Sequence, residues 1–144
     1  MELSLAVRTG IYQALLNNVT HNGEVVKAYD AYALPQTAEY PYILLSTQNN
    51  AQRNTKFVRP QDASIIVEVV TAYLQPVGRK TSEQIYEQVS AIINPDDRSQ
   101  IDLSPYGYKI GDTINAGSTF LASKNDAYYV YRKLTTFNFI VSTV

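Results

Sequence analysis

The stretch that decides the fold is residues 63–73, which read ASIIVEVVTAY. Its apolar residues fall on both alternating sets of positions: Ile65, Val67 and Val69, and Ile66 and Val70. Successive side chains of a strand point to opposite faces, so this pattern predicts a central strand that is covered on both faces. Glu68 interrupts the pattern. We expect its carboxylate to pair with an Arg or Lys on a neighbouring strand, or to face solvent at a subunit boundary.

A helix is predicted directly after this strand. Gln75-Pro76-Val77-Gly78 breaks the extended pattern, and helical periodicity runs from about Thr81 to Asn94, where Pro95 ends it. Thr81 and Gln84 have the spacing of a capping box. The apolar stripe of this helix consists of Ile85, Val89, Ile92 and Ile93.

The N-terminal part predicts one helix and two strands. The helix spans Leu3–Asn17, in which Gly10 costs about 1 kcal/mol relative to alanine. Strands follow at Val25–Tyr29 and at Tyr42–Thr47, the second directly after Pro41. The buried stripe of the helix is formed by Leu3, Val7, Ile11, Ala14 and Leu15.

The remaining elements are extended. We predict strands at Tyr108–Ile114, interrupted by Gly111, and at Ser118–Ala122, and a long final strand from Tyr128 to about Val141. The polar, acid-free segment Gln48–Gln61 is either a long loop or a projecting hairpin.

This order of elements predicts an α+β fold, a two-layer sandwich in which two helices pack on one face of a mostly antiparallel sheet of four to six strands. We expect a single domain over residues 1–144, with extended loops or hairpins at about 48–62 and 105–120.

Composition excludes several classes of protein. With 45% hydrophobic and 17% charged residues, the chain is too apolar to be disordered. Cysteine is absent, so disulfides and thiolate chemistry are excluded. The net charge of −1 gives no global attraction to nucleic acid or lipid. The longest apolar run, 64–72, is far short of the roughly 20 residues of a membrane helix, and no export signal is visible. We therefore expect synthesis in a cytoplasm and no membrane partner.

Residue types that carry catalysis are scarce. The single histidine, His21, lies in a polar turn, and we interpret it as solvated rather than as a general base. Asp96, Asp97 and Asp102 follow a helix end without the ligand spacing of a calcium loop. No phosphate-binding loop, dinucleotide-binding glycine motif or nucleophile elbow is present. We predict no catalytic residue, no metal and no cofactor, and hence no enzyme.

One short segment carries a basic cluster. Arg53, Lys56 and Arg59 lie three residues apart, with Phe57 among them. Basic side chains next to an aromatic ring can hold phosphates and stack on a base. A protein contact, a solvated loop tip and a lumen-facing loop that tolerates passing DNA are the alternatives.

Tyrosine is unusually frequent. There are twelve tyrosines, four phenylalanines and no tryptophan. Tyrosine combines a large apolar ring with a hydroxyl that tolerates water, so this choice favours contact surfaces. Tyr128, Tyr129 and Tyr131 have the alternative explanation that tyrosine favours strands.

Four segments together resemble a known family. They are Ile11–Leu16 (IYQALL), Tyr40–Leu45 (YPYILL), the strand end Val69–Tyr73 before the second helix, and Tyr131–Phe139 (YRKLTTFNF). The chain is similar over most of its length to the tail-terminator and tail-completion proteins of bacteriophages. It departs from their compact pattern at 48–61 and 106–120, which are extended here.

The resemblance implies a structural virion protein. Such proteins form a homo-oligomeric ring, commonly of six subunits, that caps the tail tube and joins it to the head connector, with DNA passing through the lumen. Its partners are then the tail-tube and connector proteins. Subunit contacts are expected at Tyr40, Tyr42, Tyr106 and Tyr108 and at the exposed edge of the C-terminal strand. The alternatives are a neck, head-completion or other tail subunit, and a small ligand- or nucleic-acid-binding module.

Overall fold

The computed structural model describes residues 3–31, 33–52, 61–76, 78–94 and 101–143. The elements, in chain order, are α1 (Leu3–Leu15), β1 (Thr20–His21), β2 (Glu24–Val25), β3 (Lys27–Asp30), β4 (Tyr42–Gln52), β5 (Gln61–Tyr73), α2 (Lys80–Ile93), a 3-10 turn (Ser104–Tyr106), β6 (Tyr108–Asn125) and β7 (Tyr128–Thr143). No helix in these ranges is long and apolar enough to cross a membrane.

The main sheet has five strands in the order β3-β4-β5-β7-β6, and only the β3–β4 pair is parallel. The predicted α+β class is therefore confirmed. The stretch that predicted a central strand forms β5, which lies between β4 and β7. β1 and β2 form a separate short hairpin.

Both helices pack on one face of the sheet. The core on this face joins Ile11 of α1 and Ile85 of α2 to Val67 of β5 and to Phe137 and Phe139 of β7. All five side chains are almost wholly removed from solvent, and burial of such apolar area is the main term that stabilises the fold. The opposite sheet face carries a smaller cluster, which consists of Tyr42, Leu44, Val70 and Val130.

Two strands are longer than predicted at the polar segment. β4 continues to Gln52 and β5 begins at Gln61, so the described ends of the segment predicted as a long loop or a projecting hairpin are paired with each other, as in a hairpin. The connection 53–60 lies outside the described residues.

The two short strands predicted between Tyr108 and Ala122 form one strand, β6. Register shifts between Ile110 and Asp112 and between Asn115 and Gly117 accommodate the irregular positions without ending the pairing with β7. Bulges of this kind absorb an extra residue and bend the strand, which is why Gly111 does not interrupt it.

The predicted capping box is wrong. Helix α2 begins one residue earlier, at Lys80, and its N-cap, Arg79, makes no side-chain capping bond. Instead, the Ser82 hydroxyl donates to the Arg79 carbonyl oxygen at 3.1 Å. The predicted strand at 25–29 is also divided. Val26 donates to the Val19 carbonyl at 2.8 Å between β2 and β3.

Candidate assembly surfaces

Tyr40 and Tyr42, two of the predicted contact residues, form one aromatic pair at the start of β4. Their rings stack with centroids 5.2 Å apart, and Tyr29 of β3 meets the Tyr42 ring edge-on at 6.2 Å. Tyr42 is 4% exposed, whereas Tyr40 is 46% exposed. The buried ring therefore fixes the position of the exposed one, as a preorganised contact requires.

An ion pair lies next to this aromatic pair. Tyr42 is paired with Val70, and Val70 with Arg132, so Tyr42 and Arg132 lie in one row across β4, β5 and β7. Arg132 Nη1 donates to Glu68 Oε1 at 2.6 Å. The prediction that Glu68 pairs with a basic residue of a neighbouring strand is confirmed. We call Tyr40, Tyr42, Glu68 and Arg132 the tyrosine–arginine cluster.

The electrostatics of this cluster favour a neutral tyrosine beside a charged arginine. Burial raises the pKa of the Tyr42 phenol, and Tyr40 raises it further, whereas Arg132 lowers it. The hydrogen bond from Arg132 to Glu68 raises the pKa of the guanidinium. Tyrosine and arginine are the residues that most often dominate binding energy at protein interfaces.

The sheet face that carries the cluster remains open over the part of the chain that the structure describes. Both helices pack on the other face. On the open face, Ile66 and Leu134 are only partly buried, while Ile114 and Leu121 of β6 are 45% and 49% exposed. This face therefore combines partly exposed apolar side chains with charged ones such as Arg132.

Strand β6 forms one edge of the sheet. It is an 18-residue strand that pairs with β7 on one side and with no other strand of the described chain. The prediction that the C-terminal strand is the exposed edge is wrong, because β7 lies between β5 and β6. An edge strand presents unpaired N–H and C=O groups to a partner.

Tyr106 and Tyr108 lie far from the cluster. Both pack, partly buried, against the core on the helix face. Tyr108 is paired with Thr143, which is separated from Arg132 by almost the whole of β7, roughly 35 Å at the rise of a strand. The four predicted contact tyrosines thus form two separate sites on opposite faces and at opposite ends of the sheet.

The predicted basic contact residues, Arg53, Lys56, Phe57 and Arg59, lie outside the described residues. The strands that flank them are described, however. Gln52 is paired with Gln61, at the end of the β4–β5 hairpin that is remote from Tyr42.

Asp102, one of the acidic residues considered for metal binding, stabilises a local turn. Asp102 accepts hydrogen bonds from the Ser104 amide at 3.0 Å and from its hydroxyl at 2.7 Å, and these bonds lower the pKa of its carboxyl group. His21 is half-buried in β1. Asp96 and Asp97 lie outside the described residues. Within the described ranges, no group of three or more His, Asp or Glu side chains is placed to hold a metal ion.

The fold belongs to the class of two-layer α+β sandwiches with long β-hairpins. The sequence matches no protein-family model and no curated protein sequence. The structure is similar to a chain of the solved "Virion of native gene transfer agent (GTA) particle", with a TM-score of 0.67 over 99% of both chains. The two sequences are 16% identical, so this likeness establishes a shared fold.

Proposed function

We propose that this chain is a structural subunit of a phage-like particle. The observation that carries the proposal is the match to a chain of the gene transfer agent virion, which covers 99% of each chain. The likeness therefore extends over almost the whole length of both chains. The resemblance of the Tyr40–Leu45 and Tyr131–Phe139 segments to tail-completion proteins is independent of that match, because it rests on sequence.

More specifically, we propose a ring-forming tail terminator that caps the tail tube and joins it to the head connector. A ring with a head-to-tail interface must pair one surface with a different surface of the neighbouring subunit. This chain offers two such surfaces, the open sheet face with its tyrosine–arginine cluster and the long edge of β6 with which no other strand of the described residues pairs besides β7. Both support assembly without requiring a catalytic group.

Absence of catalysis is part of this proposal. Glu68, which lies among apolar residues in the middle of the central strand, forms an ion pair with Arg132. We expect its role to be structural.

Electron microscopy of particles made without this protein tests the proposal. We expect tails of uncontrolled, excessive length or tails without heads, and restoration by the wild-type chain. Complementation with Tyr40→Ala should fail or be weak, whereas Tyr12→Ala, which removes a ring of comparable exposure from the helix layer, should restore normal particles. Normal tails of normal length in the absence of the protein would contradict the proposed function.

A further inference from the structure

The outer edge of β6 divides into two halves of different character. Both register shifts between β6 and β7 lie in the first half, before Gly117. From Gly117 to Asn125 the register is continuous over nine residues, a length of about 30 Å. Proteins protect the edges of their sheets with bulges, charged side chains, prolines or very short strands. The second half of β6 has no bulge in its ladder, so its backbone is regular enough to accept another strand.

Charge is also scarce along this half. Between Asp112 and Lys124 the sequence has neither a charged residue nor a proline. The opposite edge of the sheet, β3, has only four residues and carries Lys27 and Asp30 at its ends. β3 therefore has two of the usual protections of an edge. Of the two edges of the described five-stranded sheet, only β6 presents a long and uncharged stretch.

The regular half of β6 is complementary to a second copy of itself. Leu121 is the midpoint of Gly117–Asn125, so antiparallel pairing about a two-fold axis at Leu121 uses the whole stretch. In that pairing, Leu121 lies opposite its own copy, Thr119 opposite Ser123, Phe120 opposite Ala122, and Lys124 opposite Ser118. Threonine and serine side chains form favourable hydrogen bonds across strands, and like charges directly opposite each other are unfavourable. This register contains the first combination and avoids the second.

The side chains of this stretch are placed for such a contact. Thr119, Leu121 and Ser123 are exposed and lie on the open face of the sheet. Leu121 is 49% exposed, so pairing with its own copy removes apolar surface from water. On the helix face, the Phe120 ring stacks on Tyr131 with centroids 6.0 Å apart. A side chain that is already fixed in this way loses little conformational freedom on association.

We propose that the chain, outside a particle, forms a two-fold dimer in which the β6 edges pair and two five-stranded sheets become one. Main-chain hydrogen bonds supply the contact, as in other cases of strand addition, and the Leu121 side chains meet at the axis. An isologous contact closes at two copies. The inference goes beyond the proposed function, because the dimer occupies the β6 edge only until a ring or virion partner takes it.

Disulfide cross-linking tests the two-fold register, because the chain has no cysteine of its own. Leu121→Cys places two thiols directly opposite each other, with Cβ atoms about 4.5–5.5 Å apart. We expect a covalent homodimer on a non-reducing gel after oxidation of the purified chain.

Ile114→Cys is the matched control, because Ile114 is 45% exposed on the same face of the same strand. Its two copies would lie about 40 Å apart or more along the paired strands. We therefore expect no covalent dimer above background from this variant.

Sedimentation equilibrium provides a second measurement. The wild-type chain should form a reversible dimer. Leu121→Lys brings two ammonium groups together at the axis and should weaken dimerisation about tenfold or more, whereas Ile114→Lys should leave it unchanged. An equimolar mixture of Leu121→Lys and Leu121→Glu should restore the dimer, because opposite charges then meet at the axis.

Three results would overturn this inference and leave the ring proposal standing. The first is a wild-type chain that stays monomeric at all accessible concentrations. The second is a dimer that Leu121→Lys does not weaken, or that Ile114→Cys cross-links as efficiently as Leu121→Cys. The third is direct assembly of the wild-type chain into rings without any Leu121→Cys cross-link, which would favour the head-to-tail contact at β6.

Discussion

Arg132 and Glu68 form a diagonal ion pair between β7 and β5, with Nη1 and Oε1 2.6 Å apart. The residue directly opposite Glu68 is Leu134, and the residue opposite Arg132 is Val70. The ion pair therefore joins two residues that are diagonal neighbours on the same face of the sheet. This contact explains why a carboxylate is tolerated in the most apolar strand of the chain, since a buried charge needs a partner with good hydrogen-bond geometry.

We predict that Arg132→Ala destabilises the protein by about 1–2 kcal/mol, because it leaves the largely buried carboxylate of Glu68 without its charged partner. Urea denaturation measures the change. The double variant Glu68→Gln with Arg132→Met should lie closer to the wild type than Arg132→Ala does. Strictly additive effects of Glu68→Gln and Arg132→Met would show that the ion pair contributes nothing.

Two buried threonines on the helix face of the sheet, Thr71 and Thr135, differ in whether their hydroxyl groups are hydrogen-bonded. Thr135 shares a hydrogen bond of 2.8 Å with Ser118, whereas Thr71 has no described partner. Thr135→Val should therefore lower the free energy of unfolding by about 1 kcal/mol. Thr71→Val should leave the free energy of unfolding unchanged or raise it by up to about 1 kcal/mol. Equal destabilisation by both substitutions in thermal or urea unfolding would mean that the Thr71 hydroxyl is satisfied in the subunit.

Lys133 holds helix α2 on the sheet. Its Nζ lies 3.0 and 2.9 Å from the two carboxylate oxygens of Glu83 and 4.4 Å from the centroid of the Tyr86 ring. Its side chain is only 13% exposed. Lys133→Ala should lower the free energy of unfolding by about 1–2 kcal/mol.

The control for this prediction is Lys124, an exposed residue of β6 whose Nζ lies 5.3 Å from the Tyr129 centroid. Lys124→Ala should change stability by less than about 0.5 kcal/mol. If the two alanine variants unfold at the same urea concentration, the anchoring role of Lys133 is wrong.

Gly10 occupies a helix position at which a side chain does not fit. A Cβ there would lie 2.5 Å from Leu103 Cδ2 and 3.1 Å from Ile101 Cγ2. Alanine has the higher helix propensity by about 1 kcal/mol, but Leu103 is buried and overpacking costs about 1–3 kcal/mol. Gly10→Ala should therefore be net destabilising. Leu103→Val in the same chain should recover part of the loss, and a Gly10→Ala variant more stable than the wild type would refute the close packing.

The sequence predicts features that depend on local periodicity. The alternation in 63–73 correctly predicts the central strand, and the three- and four-residue spacing in α1 and α2 predicts their buried stripes. The sequence predicts that Glu68 either pairs with a basic residue of a neighbouring strand or faces solvent at a subunit boundary, and the ion pair with Arg132 confirms the first alternative. Each of these predictions depends only on residues close together in the chain, so it can be made from a single sequence.

Features that depend on non-local pairing are not predictable in this way. Arg132 reaches Glu68 only through the register between β5 and β7, which joins residues far apart in the chain. Likewise, β6 and not β7 lies at the edge because the order of the strands in the sheet differs from their order in the sequence. The bulges near Gly111 and Gly117 keep β6 continuous where glycine indicates a break. A cavity of about 630 Å³ near Thr71 is lined by residues of four separate segments, and no sequence pattern within any of these segments predicts it.

The measurement that tests the central claim most directly is a cryo-electron microscopy map of the assembled particle. The account predicts that this fold fits density for a closed ring at the head-proximal end of the tail, with the open sheet face and the β6 edge at subunit or partner contacts. A complete map in which that position is occupied by other chains, and in which this fold is absent from the particle, would contradict it.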